Sequence, residues 1–244
     1  MYINFQFAQW IEQFRTVLLN AVSKIENIIC PLITQLSIYR WAEFCISQED
    51  VPLINEKDIQ DLFHEELVLI KDADVRAKVV KAWLLGCQRG NWNSIAELEK
   101  MPFTLLTPTH GVNFIEHTKA VTKGAMALAQ AQEGVYRAMP YKVNFDRLIA
   151  GGLLHDVGKL MEIEPDGKGG YRKSYSGKCA RHPISGAILA AEIGLSEEIV
   201  NTIGCHAKEG EGRPQVLETV FIHQADYATF NPLVMKEKGT LIED

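Results

Sequence analysis

The sequence predicts an all-α protein, and two observations carry that expectation. Apolar residues recur mostly with helical period, and few alternating runs interrupt them. Helix-start signals, namely Asn or Ser ahead of an acid and Pro at a first turn, stand in front of the periodic segments. The 244 residues are 47% apolar and 23% charged, with no internal repeat or low-complexity run. That is the composition of a folded globular chain, long enough for one large domain or two small ones.

In chain order, segments 4–20, 24–47, 56–71, 73–87 and 93–100 carry helical periodicity. Gly90-Asn91 marks a turn, and Pro102 and Pro108 bound a linker-like stretch over 101–112. All four tryptophans (Trp10, Trp41, Trp83, Trp92) precede it. The expected division is therefore an N-terminal helical unit, 1–100, and a second unit, 101–244. The apolar faces of the first require cover, from the second unit or from a second copy of the chain, which leaves a homo-oligomer open.

In the second unit, Asn113 and Glu116 form the spacing of a capping box, which opens a helix to about Gln132. A helix follows from about Asp146 to Met161, although Gly151, Gly152 and Gly158 interrupt it at roughly 1 kcal/mol each. Such local rule-breaking marks a functional site or close helix packing. Pro183 opens a helix to about Ile193, Ser196-Glu197-Glu198 opens one ending near His206, and Pro214 opens the last, to about Phe230.

Net charge is −6, so the molecule as a whole is not built to coat nucleic acid or an anionic membrane. Five cysteines, an odd count without a CxxC pair, support neither a disulfide framework nor a zinc ribbon, and point to reduced thiols in a cytoplasm. The opening residues lack a signal-peptide pattern. The stretch Ile25 to Trp41, interrupted by Glu26, Asn27, Pro31 and Gln35, cannot span a bilayer. Against the overall charge, 165–181 carries five basic residues (Lys168, Arg172, Lys173, Lys178, Arg181) and one acid, Asp166. It reads either as a solvated loop or as an anion-binding one, with a short hairpin over Tyr171 to Tyr175.

Chemistry concentrates on histidine and aspartate. LLHDVGKL, residues 153–160, sets His155 and Asp156 about 100° apart on a helix, with Lys159 one turn on. His117 shares a face with Val121, Gly124 and Leu128 and so looks inward, as does Asp226 on the stripe of Thr219, Ile222 and His223. A buried aspartate needs a partner or a metal. His182 stands at one helix start and His206 at one helix end. Imidazole with carboxylate suits Fe, Mn, Co, Ni or Zn. His223 reads as support for Asp226, Cys205 as a small buried residue, His64 as surface or packing, and His110, in the loop before the His117 helix, as a candidate substrate contact.

This ordered set resembles the HD-domain superfamily of metal-dependent phosphohydrolases: a single His, a His-Asp pair and a distal Asp, matched by His117, His155-Asp156 and Asp226. Its two-metal members add two histidines in between, matched by His182 and His206. HDVGK looks like the HDxGK form of cyclic-dinucleotide phosphodiesterases and HD-type exoribonucleases. The chain departs from them in lacking a GYP-type signature after His206 and an OB-type N-terminus, and in having Cys205-His206 where those exoribonucleases pair histidines.

The resemblance covers about residues 105–231. It implies a helical HD-domain bundle, here with the N-terminal helices as an added layer. It also implies one metal on His117, His155, Asp156 and Asp226, and a second on Asp156, His182 and His206. The expected enzyme hydrolyses a phosphomonoester or phosphodiester, nucleotide-like or another small anion. Asp156 would bridge the ions, and Lys159, Lys173, Lys178, Arg181 and His110 would meet the substrate. HD-type di-iron oxygenases acting on a small polyol or phosphonate resemble the same ligand pattern and form the alternative; a catalytically silent sensor is disfavoured by the intact ligand set.

Overall fold

The computed structural model describes residues 53–243, and the expected helices at 4–20 and 24–47 lie outside them. The described residues are helical apart from one small hairpin, in agreement with the all-α expectation. Among them, no helix is long and apolar enough to cross a membrane.

Asn55 caps α1 (Glu56–Leu62) through a capping box with Asp58. The single helix expected over 56–71 instead breaks at Phe63 before α2 (His64–Leu67), because Phe63 turns fully inward to pack on Trp83, ring centroids 4.6 Å apart. Asp72 caps α3 (Ala73–Gly90), which ends at Asn91 in the left-handed conformation, φ 59°, as the Gly90-Asn91 pair predicts. The short α4 (Ile95–Leu98) follows.

Residues 101–112 are not a free linker. Met101 and Phe103 are buried, and the Phe114 amide donates to the Met101 carbonyl at 2.8 Å. Both apolar side chains prefer the core to water, which ties the stretch down.

The capping box of Asn113 and Glu116 opens α5 (Phe114–Val135). The central element is α6 (Phe145–Leu154), buried from Leu148 to Leu154 and packed against α3 and α5. After it, α7 (Lys159–Glu162) leads into β1 (Ile163–Pro165), paired antiparallel with β2 (Tyr171–Lys173) in the register Ile163 to Lys173. Ser174 caps α8 (Tyr175–Cys179). Then come α9 (His182–Glu192), α10 (Glu197–Cys205), a 3₁₀ turn at Lys208–Gly210, and α11 (Leu217–Glu237). Helices α10 and α11 complete the packing around α6.

The core does not divide at residue 100. One apolar cluster runs from Ile54, Phe63, Val80 and Trp83 through Phe114, Leu153 and Leu160 to Ile203. Two indoles fasten this layer to the backbone around the HDVGK segment: Trp83 Nε1 donates to the Leu153 carbonyl at 3.0 Å, and Trp92 Nε1 to the Leu160 carbonyl at 2.8 Å. Both carbonyls are otherwise unsatisfied helix-end groups, costly to bury alone.

Replacing Trp83 by Ala should destabilise the protein by about 3–5 kcal/mol, the range for emptying a buried aromatic site. Denaturant titration measures it; a loss under about 1 kcal/mol would contradict a core shared by residues 54–100 and the later helices.

Candidate metal centre

The long helix expected over 146–161 is interrupted where the ligands sit. From Leu154 onward the backbone closes i→i−3 bonds: Val157 to Leu154 at 3.0 Å, Lys159 to Asp156 at 2.8 Å, Leu160 to Val157 at 3.2 Å. These tighter turns release the Leu153 carbonyl to Trp83 and aim His155 and Asp156 into the space between α5, α9, α10 and α11. The neighbours approach closely because two positions lack a side chain. A Cβ at Gly158 would fall 2.1 Å from the His182 carbonyl oxygen, and one at Gly152 would fall 2.8 Å from Thr122 Oγ1.

The six ligand candidates converge on Asp156, which is buried. Its Oδ2 lies 3.3 Å from both His117 Nε2 and His155 Nε2 and 2.5 Å from Lys159 Nζ. Asp226 Oδ1 is 3.2 Å from the same His117 Nε2. Asp156 Oδ1 faces the other way, 3.2 Å from His182 Nε2 and 3.5 Å from His206 Nε2. Two groups able to hold a metal ion result, His117–His155–Asp156–Asp226 and Asp156–His182–His206, with Asp156 common to both.

Every imidazole presents Nε2 because its Nδ1 is engaged. His155 Nδ1 meets the Gly152 carbonyl at 2.7 Å and His206 Nδ1 the Ile203 carbonyl at 2.9 Å. A carbonyl only accepts, so Nδ1 carries the proton and Nε2 offers its lone pair. His117 Nδ1 meets Thr229 Oγ1 at 3.2 Å, whose own proton goes to the Asp226 carbonyl at 2.8 Å. His182 Nδ1 donates to Glu162 Oε2 at 2.8 Å. Burial lowers His182 to about 4, so the ring is neutral near pH 7, the form that binds a metal. Burial works against the charge on Asp156 as well, but the Lys159 ammonium chiefly outweighs it and holds the carboxyl well below the usual range.

The donor set fits a divalent transition metal. Asp156 Oδ1 and His206 Nε2 are buried without a hydrogen-bond partner, an expense that a cation between them would remove.

A cleft of about 390 Å³ opens beside the centre, lined by the polar Lys159, His182 and Asp226 and by the apolar Phe103, Leu106 and Phe230. Lys173, Arg181 and Lys208 add positive charge to it. Lys178 is exposed and His110 pairs with Glu237 at 2.8 Å; neither lines the cleft. Lys178 lies on the exposed side of α8, and His110 sits in a left-handed turn, φ 52°, where Glu237 holds its ring. His223 does not support the Asp226 carboxylate: its Nδ1 meets the His206 carbonyl at 2.6 Å. Cys205 is half-buried rather than buried, and His64 is exposed.

Glu162 is the residue that sequence reasoning missed. Its Oε2 accepts from the His182 amide and ring, and its Oε1 from Lys173 Nζ at 2.8 Å. The usable signal was an acid at the end of an apolar helix, followed by a basic hairpin.

Comparison with known proteins agrees with this geometry. Residues 114–231 match the HD domain family. Ribonuclease Y of Thermotoga maritima is 35% identical over 91 residues, 37% of this chain and 15% of that relative. Ribonuclease Y of Pseudothermotoga lettingae is 30% identical over 118 residues, 48% of this chain and 18% of the relative. That of Clostridium botulinum is 29% identical over 118 residues, with the same shares, 48% and 18%. The chain thus spans less than a fifth of the length of these relatives. No solved structure matches it. The match to residues 114–231 takes in every ligand candidate from His117 to Asp226, and this part of the chain belongs to the HD-domain family.

Proposed function

We propose that the chain is a two-metal phosphohydrolase that cleaves a phosphoester of nucleotide type. The observation that carries this reading is the division of one buried carboxylate, with Asp156 Oδ2 turned to the first group of ligands and Oδ1 to the second. A carboxylate so placed would serve both ligand groups, and two ions held there would stabilise the attacking and leaving oxygens of a phosphoryl centre. The name of the relatives, ribonuclease Y, supports a phosphodiester as the substrate bond.

When bound, the ions (Fe, Mn, Co, Ni or Zn) supply a nucleophilic water ionised near neutral pH. The chain's own residues supply the rest. His117, His155 and Asp226 would hold the first ion, His182 and His206 the second, and Asp156 would serve both. Lys159 Nζ, at the cleft wall and 5.6 Å from the Phe103 ring centroid, stands where a phosphoryl oxygen would enter and meets it as a point charge. Lys173, Arg181 and Lys208 give the cleft the sign that an anionic substrate requires, against the chain's net −6.

Asp156→Ala should abolish loading of both ions, whereas His206→Ala should leave one, as read by elemental analysis of protein dialysed after metal reconstitution. Equal loading of the two variants would contradict a shared carboxylate.

Lys159→Met should keep both ions and lower turnover about 10²–10³-fold, the usual effect of losing one donor to developing charge. The assay uses bis(p-nitrophenyl) phosphate and short oligoribonucleotides, with and without O₂. Hydrolysis that is indifferent to O₂ supports the reading; turnover of any substrate only with O₂ would replace it by the oxygenase.

A further inference from the structure

Of the four imidazoles in the two ligand groups, three give their Nδ1 proton to a neutral oxygen: a carbonyl for His155 and His206, a hydroxyl for His117. His182 alone gives it to a carboxylate. Glu162 is fitted for that task. It ends α7, and its Oε2 accepts twice from His182, from the backbone amide at 2.5 Å and from Nδ1 at 2.8 Å, so backbone and ring are fixed by one oxygen. Its side chain is 8% exposed, closed in by α8, where a Cβ at Gly177 would fall 2.7 Å from Glu162 Cγ. Ser174, between the hairpin and α8, donates its hydroxyl to the Met161 carbonyl at 2.6 Å and its amide to the Glu162 carbonyl at 2.8 Å. The other oxygen of Glu162, Oε1, takes Lys173 Nζ at 2.8 Å, from the hairpin strand β2.

We propose that Glu162 is a positioning residue for the second ligand group, and that Lys173 acts through it to set how tightly that group holds its ion. The proposal rests on the two-metal reading above. An anionic acceptor on Nδ1 fixes the ring and makes Nε2 a stronger donor to a metal than a carbonyl would. Lys173 shares the same carboxylate and withdraws part of its charge from His182, so the hairpin lysine holds the second group below its full affinity. Lys173 therefore acts on metal loading in addition to lining the cleft.

The test titrates metal-stripped full-length protein with Mn²⁺, following free ion by electron paramagnetic resonance, so activity is not the readout. Wild type should load two ions in resolvable steps. Glu162→Gln should raise the Kd of the second ion about 10–100-fold and leave the first unchanged, the range seen for outer-shell partners of metal-ligating histidines. Lys173→Met should lower the Kd of the second ion, and that effect should vanish in Glu162→Gln/Lys173→Met, because it passes through the carboxylate. Unchanged second-ion affinity in Glu162→Gln, or a Lys173→Met effect of equal size with and without Glu162, would overturn the proposal. Lys173 is 39% exposed, so Lys173→Met decides the question even if Glu162→Gln does not fold; an unchanged Kd there is equally fatal. A wild type that loads only one ion would instead fell the two-metal reading, and the proposal with it.

Discussion

An ionised carboxylate in the interior is the constraint on which this structure turns. Isolated, such a group is far too costly to bury, and a protein either neutralises it or surrounds it with compensating charge and hydrogen bonds. Asp156 is compensated by Lys159 on one oxygen and faced by imidazoles on both. The remaining oxygen, Oδ1, keeps no hydrogen bond at all, and neither does His206 Nε2 beside it. Folding has therefore placed two uncompensated electron-pair donors a few ångströms apart, an arrangement that makes physical sense as a metal site and poor sense as packing.

Much of the surrounding architecture serves that placement. Gly152 and Gly158 are small so that α5 and the start of α9 approach the backbone that carries Asp156. The tightened turns after α6 leave the Leu153 carbonyl to Trp83, so the tryptophan layer holds the segment's geometry as well as filling the core. Phe103 stacks on His117 at 4.2 Å between centroids and lies beneath Lys159, which links the cleft wall to the first ligand group. Positioning comes from apolar burial, and chemistry from the few polar groups that the burial orients.

Several parts of this were legible in the sequence. His117 and Asp226 stood out because each is polar on an apolar helical face, and the capping box at Asn113 fixed the phase of the helix bearing His117. What escaped was tertiary in origin. The break after Leu154 depends on an indole seventy residues upstream in the chain, which periodicity within 146–161 does not encode. Glu162 stands just past the expected helix end at Met161; only the hairpin and α8, folded back over it, make it a buried partner of His182. Likewise 101–112 reads as a linker by its prolines, yet Met101 and Phe103 draw it into the core. His223 sits one turn from Asp226, but hydrogen-bonds across to α10's end instead.

The central claim is that one carboxylate bridges two ions, and magnetic coupling reports it most directly. Electron paramagnetic resonance of the protein loaded with two equivalents of Mn²⁺ should show the multiline spectrum of an exchange-coupled pair, since a bridged pair sits about 3.5–4 Å apart. A spectrum of magnetically isolated Mn²⁺ at full loading would contradict the account.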